Sequence, residues 1–107
     1  MITSALMNVM TSAAIKTGRA LKRDFGEVEN LVVSVKGPGD FVSAADRRAE
    51  KTLYEELSKA RPGYGFLMEE GGVVEGTDPS HRWIIDPLDG TTNFLHGLPI
   101  FAISVAL

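Results

Sequence analysis

The sequence predicts an α+β protein. Apolar residues recur at helical spacing in two long segments, and four short apolar runs bounded by glycine and proline read as strands. Ile2, Leu6, Val9, Met10, Ala13, Ala14 and Leu21 follow the helical period, so the spacing predicts a helix from residue 2 to about residue 24, with Gly26 as its stop. Leu31 to Val35 is a β-branched run, and Gly37-Pro38-Gly39-Asp40 is a turn signal, so a strand is expected to lead into a tight connection there.

Ser43 reads as the N-cap of a second helix whose Ala45, Ala49, Leu53 and Leu57 share one face. Arg61-Pro62-Gly63 ends it, since proline cannot continue a helix without losing a hydrogen bond. Tyr64 to Met68 is then a short strand delivering Glu69-Glu70. Gly71-Gly72 opens a polar loop through Ser80, and Trp83-Ile84-Ile85 is a buried strand ending at Asp86. Ile100 to Leu107 has the unbroken apolar character of a strand covered on both faces.

Of the 107 residues, 44% are hydrophobic and 23% charged, ordinary values for a globular domain with a real core. A net charge of −3 argues against a nucleic-acid binder held by a general basic field. With no cysteine, disulfides and thiolate metal sites are excluded and any metal must sit on oxygen or nitrogen. No stretch approaches the roughly 18 consecutive apolar residues of a membrane span. Lys16, Arg19, Lys22 and Arg23 follow the apolar N-terminal segment, whereas a secretory signal has its positive charges first. The lack of an acid before Asp24 leaves a transit peptide as the less favoured reading, and a cytoplasmic protein as the better one.

Three carboxylate sites stand at the ends of successive elements: Asp46, the Glu69/Glu70 pair, and Asp86 with Asp89. Asp46 also suits a plain role in the first turn of a helix, where negative charge meets the dipole. Glu69-Glu70 beside two glycines also suits a solvated loop. Asp86 and Asp89 are more distinctive. Two carboxylates three residues apart, after a buried strand and before Gly90-Thr91-Thr92, suit a hard cation held against a phosphate, because Mg²⁺ takes carboxylate and phosphate oxygens. Pro87 stiffens the backbone between them, and the following turn can present N–H groups to an anion.

Phe41-Val42-Ser43-Ala44-Ala45-Asp46, Phe66-Leu67-Met68-Glu69-Glu70 and the block from Trp83 to Phe94, with Pro99 and Ser104 beyond, resemble the inositol monophosphatase family of Mg²⁺-dependent, Li⁺-sensitive phosphatases. The resemblance implies a layered αβαβα sandwich, usually a homodimer, acting on a small phosphorylated polyol such as inositol-1-phosphate. It implies metal ligation by Glu69, Asp86, Asp89 and the Leu88 carbonyl. Asp46 paired with Thr91 would orient and help deprotonate the attacking water. Glu69, Leu88, Asp89, Gly90 and Thr91 would line the substrate site, with the Gly90-Thr91 backbone holding the phosphate. Lys36 stands where the family often has a basic residue, while His81 and His96 match no catalytic role.

Met68 and Ser43 depart mildly from the family pattern, which usually has a small residue and Thr at these positions. The family also carries a further metal-binding Asp in a Trp-Asp motif, and the only tryptophan here is Trp83. Residues 1–107 are therefore expected to be the N-terminal portion of one such domain, interrupted within a strand and inactive alone. Two alternatives stand beside the inositol phosphatase. One is a phosphatase of fructose-1,6-bisphosphate, a 3′-phosphoadenosine nucleotide or histidinol phosphate. The other is a regulatory protein of the extragenic-suppressor type, working through transcription or ribosome-associated protein partners rather than by direct nucleic-acid contact.

Overall fold

The computed structural model describes residues 4–28 and 37–107. Helices α1 (Ala5–Glu27) and α2 (Gly37–Ala60) come first. Strands β1 (Tyr64–Met68), β2 (Gly72–Val74) and β3 (Asp78–Asp89), the short helix α3 (Thr91–Leu95) and strand β4 (Ala102–Ala106) follow. The α+β class is as expected. The strand expected over Leu31 to Val35, and Lys36, lie outside the described residues.

The side chain of Ser4 caps α1 by accepting from the Met7 N–H at 3.0 Å. Ala13, Thr17 and Leu21 form its buried stripe. Gly26 does not stop α1, which runs on through Glu27. The added turn carries Phe25 and the buried Val28 into the core beside Leu21. The two long helices lie antiparallel, because Lys16 pairs with Glu56 while Asp24, further along α1, pairs with Arg48, further back on α2.

Helix α2 starts six residues before Ser43, so the expected turn at residues 37–40 is helix and Ser43 is an exposed residue inside it. The physical reason lies in the first turn. Proline is tolerated there because its missing N–H would have no partner anyway, and Asp40 sits favourably near the positive end of the dipole. The earlier start also places Val42 on the stripe of Ala45, Ala49, Leu53 and Leu57, all buried. Asp46 and Glu50 lie on the same stripe and are only 7% and 8% exposed.

The sheet has the order β2-β1-β3-β4, with β1 and β3 parallel and both outer pairs antiparallel. Residues 72–74 and 78–80, expected as loop, are strand: Val73 and Val74 pair with Leu67 and Phe66 and screen the edge of β1. Phe66, Trp83 and Ile85 face the helices and close a core with Ala13, Leu53 and Leu57. Trp83 is fully buried and its indole N–H has no acceptor among the described residues.

On the opposite face, Val73, Leu67, Ile84 and Ala106 are directly paired neighbours across four strands, and all are exposed. Strand β4 is accordingly not covered on both faces. Ile103 and Val105 point into the core while Ala102, Ser104 and Ala106 are open, an alternation set by helices packing on one side only. Among the described residues, no helix is long and apolar enough to cross a membrane.

Leu57 is fully buried between the helices and the sheet. Leu57→Ala is expected to cost about 2–5 kcal/mol, the range for a large-to-small change in a packed core. Urea unfolding followed by circular dichroism, with an unchanged slope and a lowered midpoint, checks this.

Candidate active site

Parallel pairing of β1 with β3 puts their carboxyl ends side by side, the place where open sheets commonly bind ligands. Met68 is opposite Ile85, so the next residues, Glu69 and Asp86, emerge at the same end. Asp46 reaches that end from the buried stripe of α2. Two of the three, Asp46 and Glu69, are shifted by their surroundings. Burial first, then repulsion from Glu69, Glu70, Asp86 and Glu50, raises the Asp46 carboxyl to about 6. Glu69 is pushed up by desolvation, then by Asp86, Glu70 and Glu50. Asp89 lies further along β3 and is not among the groups acting on either.

The backbone between Asp86 and Asp89 is irregular for a reason visible in the residues. Asp86 pairs with Ser104 and Asp89 with Ala102, so β3 carries one residue more than β4 across this step. Pro87 has no N–H for the ladder, and a bulge absorbs the defect. Asp86 Oδ1 accepts from the Leu88 N–H at 3.3 Å, holding the carboxylate over the bulge. Pro87 and Leu88 are buried, whereas Asp89 is exposed. Gly90 then turns the chain into α3 with φ 90°, a conformation costly for other residues. A Cβ there would also stand 2.9 Å from the Ile100 carbonyl oxygen.

Thr91 Oγ1 donates to the Leu88 carbonyl oxygen at 3.1 Å. The expected Asp46–Thr91 pair is therefore not made, because the threonine hydroxyl is used locally to close the turn after β3. Asp46 Oδ1 is buried with no hydrogen-bond partner among the described residues. His81 is stacked on Tyr64 and bonded to Asp78 near the start of β3. His96 bonds the Thr92 carbonyl through Nδ1.

One residue was not singled out from the sequence. Glu50, one helical turn beyond Asp46, accepts from the Glu70 N–H at 3.0 Å and from the Gly71 N–H at 3.1 Å. Its signal was a second acid at i+4 on an otherwise apolar helical stripe.

Among the described residues, no three Asp, Glu or His side chains converge closely enough to hold a metal ion by themselves. The donor chemistry nevertheless fits a hard cation. A buried carboxylate oxygen with no partner among the described residues, and the neighbouring acids that raise Asp46 and Glu69, are what a bound cation relieves.

A sequence profile described as the inositol monophosphatase family matches residues 3–107. The chain belongs to this family. It is 72% identical to an inositol-1-monophosphatase of Mesorhizobium japonicum over all 107 residues, which make up 40% of that relative. The Nus factor SuhB of Escherichia coli K12 is 39% identical over 102 residues, 95% of this chain and 38% of SuhB. The crystal structure of the extragenic suppressor protein suhB from Bartonella henselae superposes with a TM-score of 0.83 at 58% identity, over 96% of this chain and 38% of that one. The chain thus spans about 40% of the length of the relatives it matches.

Between 3.8, the ordinary aspartate value, and about 6, folded Asp46 binds a proton that the unfolded chain releases. Its contribution to stability therefore falls as pH rises through that window, and the folded state is penalised above it. Asp46→Asn is expected to melt at a higher temperature than the parent above about pH 6, the difference closing as pH drops towards 3.8. Thermal melts of both proteins in metal-free buffer across this range check the sign.

Proposed function

We propose that the protein is a Mg²⁺-dependent phosphomonoesterase that hydrolyses inositol-1-phosphate to inositol and phosphate. The observation that carries the reading is the gathering of Glu69, Asp86 and Asp46 at the carboxyl ends of paired parallel strands, in a chain of the inositol monophosphatase family. Glu69, Asp86, Asp89 and the Leu88 carbonyl would hold the metal. When bound, Mg²⁺ neutralises phosphoryl oxygens and makes a nucleophile of water at neutral pH. Asp46 would act as the general base that takes the proton of the attacking water. Thr91 would join it in orienting the water once its hydroxyl leaves the Leu88 carbonyl. The Gly90 and Thr91 N–H groups, ahead of the first hydrogen bond of α3, would receive the phosphate oxygens.

We extend the reading to a cytoplasmic, lithium-sensitive homodimer, and to residues 1–107 as the N-terminal portion of a single layered domain. The support for that last step is the 40% share of the relatives' length and the uncovered apolar row Val73, Leu67, Ile84 and Ala106. An intact mass of the native protein more than twice 11.6 kDa is the expected result. A mass equal to it would withdraw the catalytic assignment.

The similarity to Nus factor SuhB and to the extragenic suppressor protein favours a second reading, regulation through a transcription-complex partner. Fructose-1,6-bisphosphate, 3′-phosphoadenosine nucleotides and histidinol phosphate remain the competing substrates. Phosphate release from inositol-1-phosphate by the protein as its gene encodes it should require Mg²⁺ and stop with EDTA. Loss of a metal ligand worth several kcal/mol lowers turnover at least ~100-fold, so Asp89→Asn should do the same. Turnover unchanged in Asp89→Asn would sink the assignment of that ligand. A cellular role that persists without turnover would favour regulation.

A further inference from the structure

Glu69 opens the exposed three-residue turn Glu69-Glu70-Gly71, which joins β1 to β2 and is closed at its base by the pairing of Met68 with Gly72. Glu50 adds a tie at the turn itself. It is 8% exposed, and its two carboxylate oxygens divide between two successive amides, Oε1 to the Glu70 N–H and Oε2 to the Gly71 N–H. A carboxylate on backbone N–H groups makes charge-assisted bonds, stronger than neutral ones. Both oxygens face the turn, so Glu50 is spent on backbone and not presented to solvent. Glu50 also lies one helical turn after Asp46, so the same stretch of α2 carries Asp46 and grips the segment bearing Glu69.

We propose that Glu50 is a positioning residue: by clamping the amides of Glu70 and Gly71 it sets Glu69 against Asp86 and in register with Asp46. This rests on the reading of Glu69 as a metal ligand. Groups that orient metal ligands typically cost 10–100-fold in metal affinity when removed. A residue acting through Glu69 has a further mark: its loss changes nothing once Glu69 is gone.

The test is Mg²⁺ titration calorimetry on the protein as its gene encodes it, comparing the parent, Glu50→Gln, Glu69→Gln and the double variant. Glu50→Gln keeps the shape of the side chain but replaces one acceptor with a donor. It is expected to weaken Mg²⁺ by about 10–100-fold. In the Glu69→Gln background it should cost less than about twofold, because only coupled residues depart from additivity. Amide exchange in the metal-free protein should quicken at Glu70 and Gly71 and not along α2. If Glu50→Gln does not fold, Glu50→Asp, too short to span both amides, carries the same comparison. Parent-like Mg²⁺ affinity in the Glu50 variant beside a weakened Glu69→Gln overturns the inference alone, as do additive effects. Parent-like affinity in Glu69→Gln overturns the ligand reading and the inference with it.

Discussion

The parallel pairing of β1 with β3 is the constraint on which the rest depends. Phe66 beside Trp83 and Met68 beside Ile85 are held in register by a core that includes Leu53 and Leu57 of α2. A slip of one residue would set Phe66 beside Ile84 or Arg82 instead of Trp83 and leave one of the two aromatic residues on the open face, because side chains alternate along a strand. Burial of the two aromatic residues opposes that slip, and the same register brings Glu69 to Asp86. Stability and site geometry are therefore consequences of one packing arrangement.

The site works against the stability that positions it. Burial and the neighbouring acids disfavour charge on Asp46 and Glu69, and Asp46 adds the cost of a buried oxygen with no partner among the described residues. A structural interior would avoid such a cluster, or neutralise it with Arg or Lys. The Lys and Arg ion pairs found among the described residues lie elsewhere, at Lys16–Glu56, Asp24–Arg48, Lys51–Glu55 and Glu75–Arg82. Strain of this kind collects where a ligand is to be received.

Besides the register shift between Tyr64 and Gly65 at the far end of β1, departures from regular structure cluster at this same end of the sheet. The bulge at Pro87-Leu88, the left-handed Gly90 and the five-residue α3 follow one another within nine residues. Buried Leu88 and Phe94 anchor this segment beneath α1 and α2. Its polar residues, Asp89, Thr91 and Thr92, remain exposed above that anchor. Firm apolar footing under open polar groups is the arrangement a preorganised site requires.

Residue order alone made much of this legible. The bounds of β1 followed from Pro62-Gly63 before it and Glu69-Glu70 after it, and the buried face of α2 from the spacing of Ala45, Ala49, Leu53 and Leu57. The candidate residues stood out because carboxylates beside Gly-Thr-Thr after an apolar run are chemically specific, and the family followed from them. These signals are local: a period, a turn residue, a cluster within nine positions. Folding in three dimensions settled what no local signal carries. The start of α2 moved to Gly37 once Val42 had a core to enter, and residues 72–74 became strand because β1 offered an edge. Thr91 turned to Leu88 rather than Asp46, and Glu50 found amides twenty residues away. Each of those outcomes depends on which partner lies within hydrogen-bond or packing reach after the chain has folded, and sequence spacing does not encode that distance.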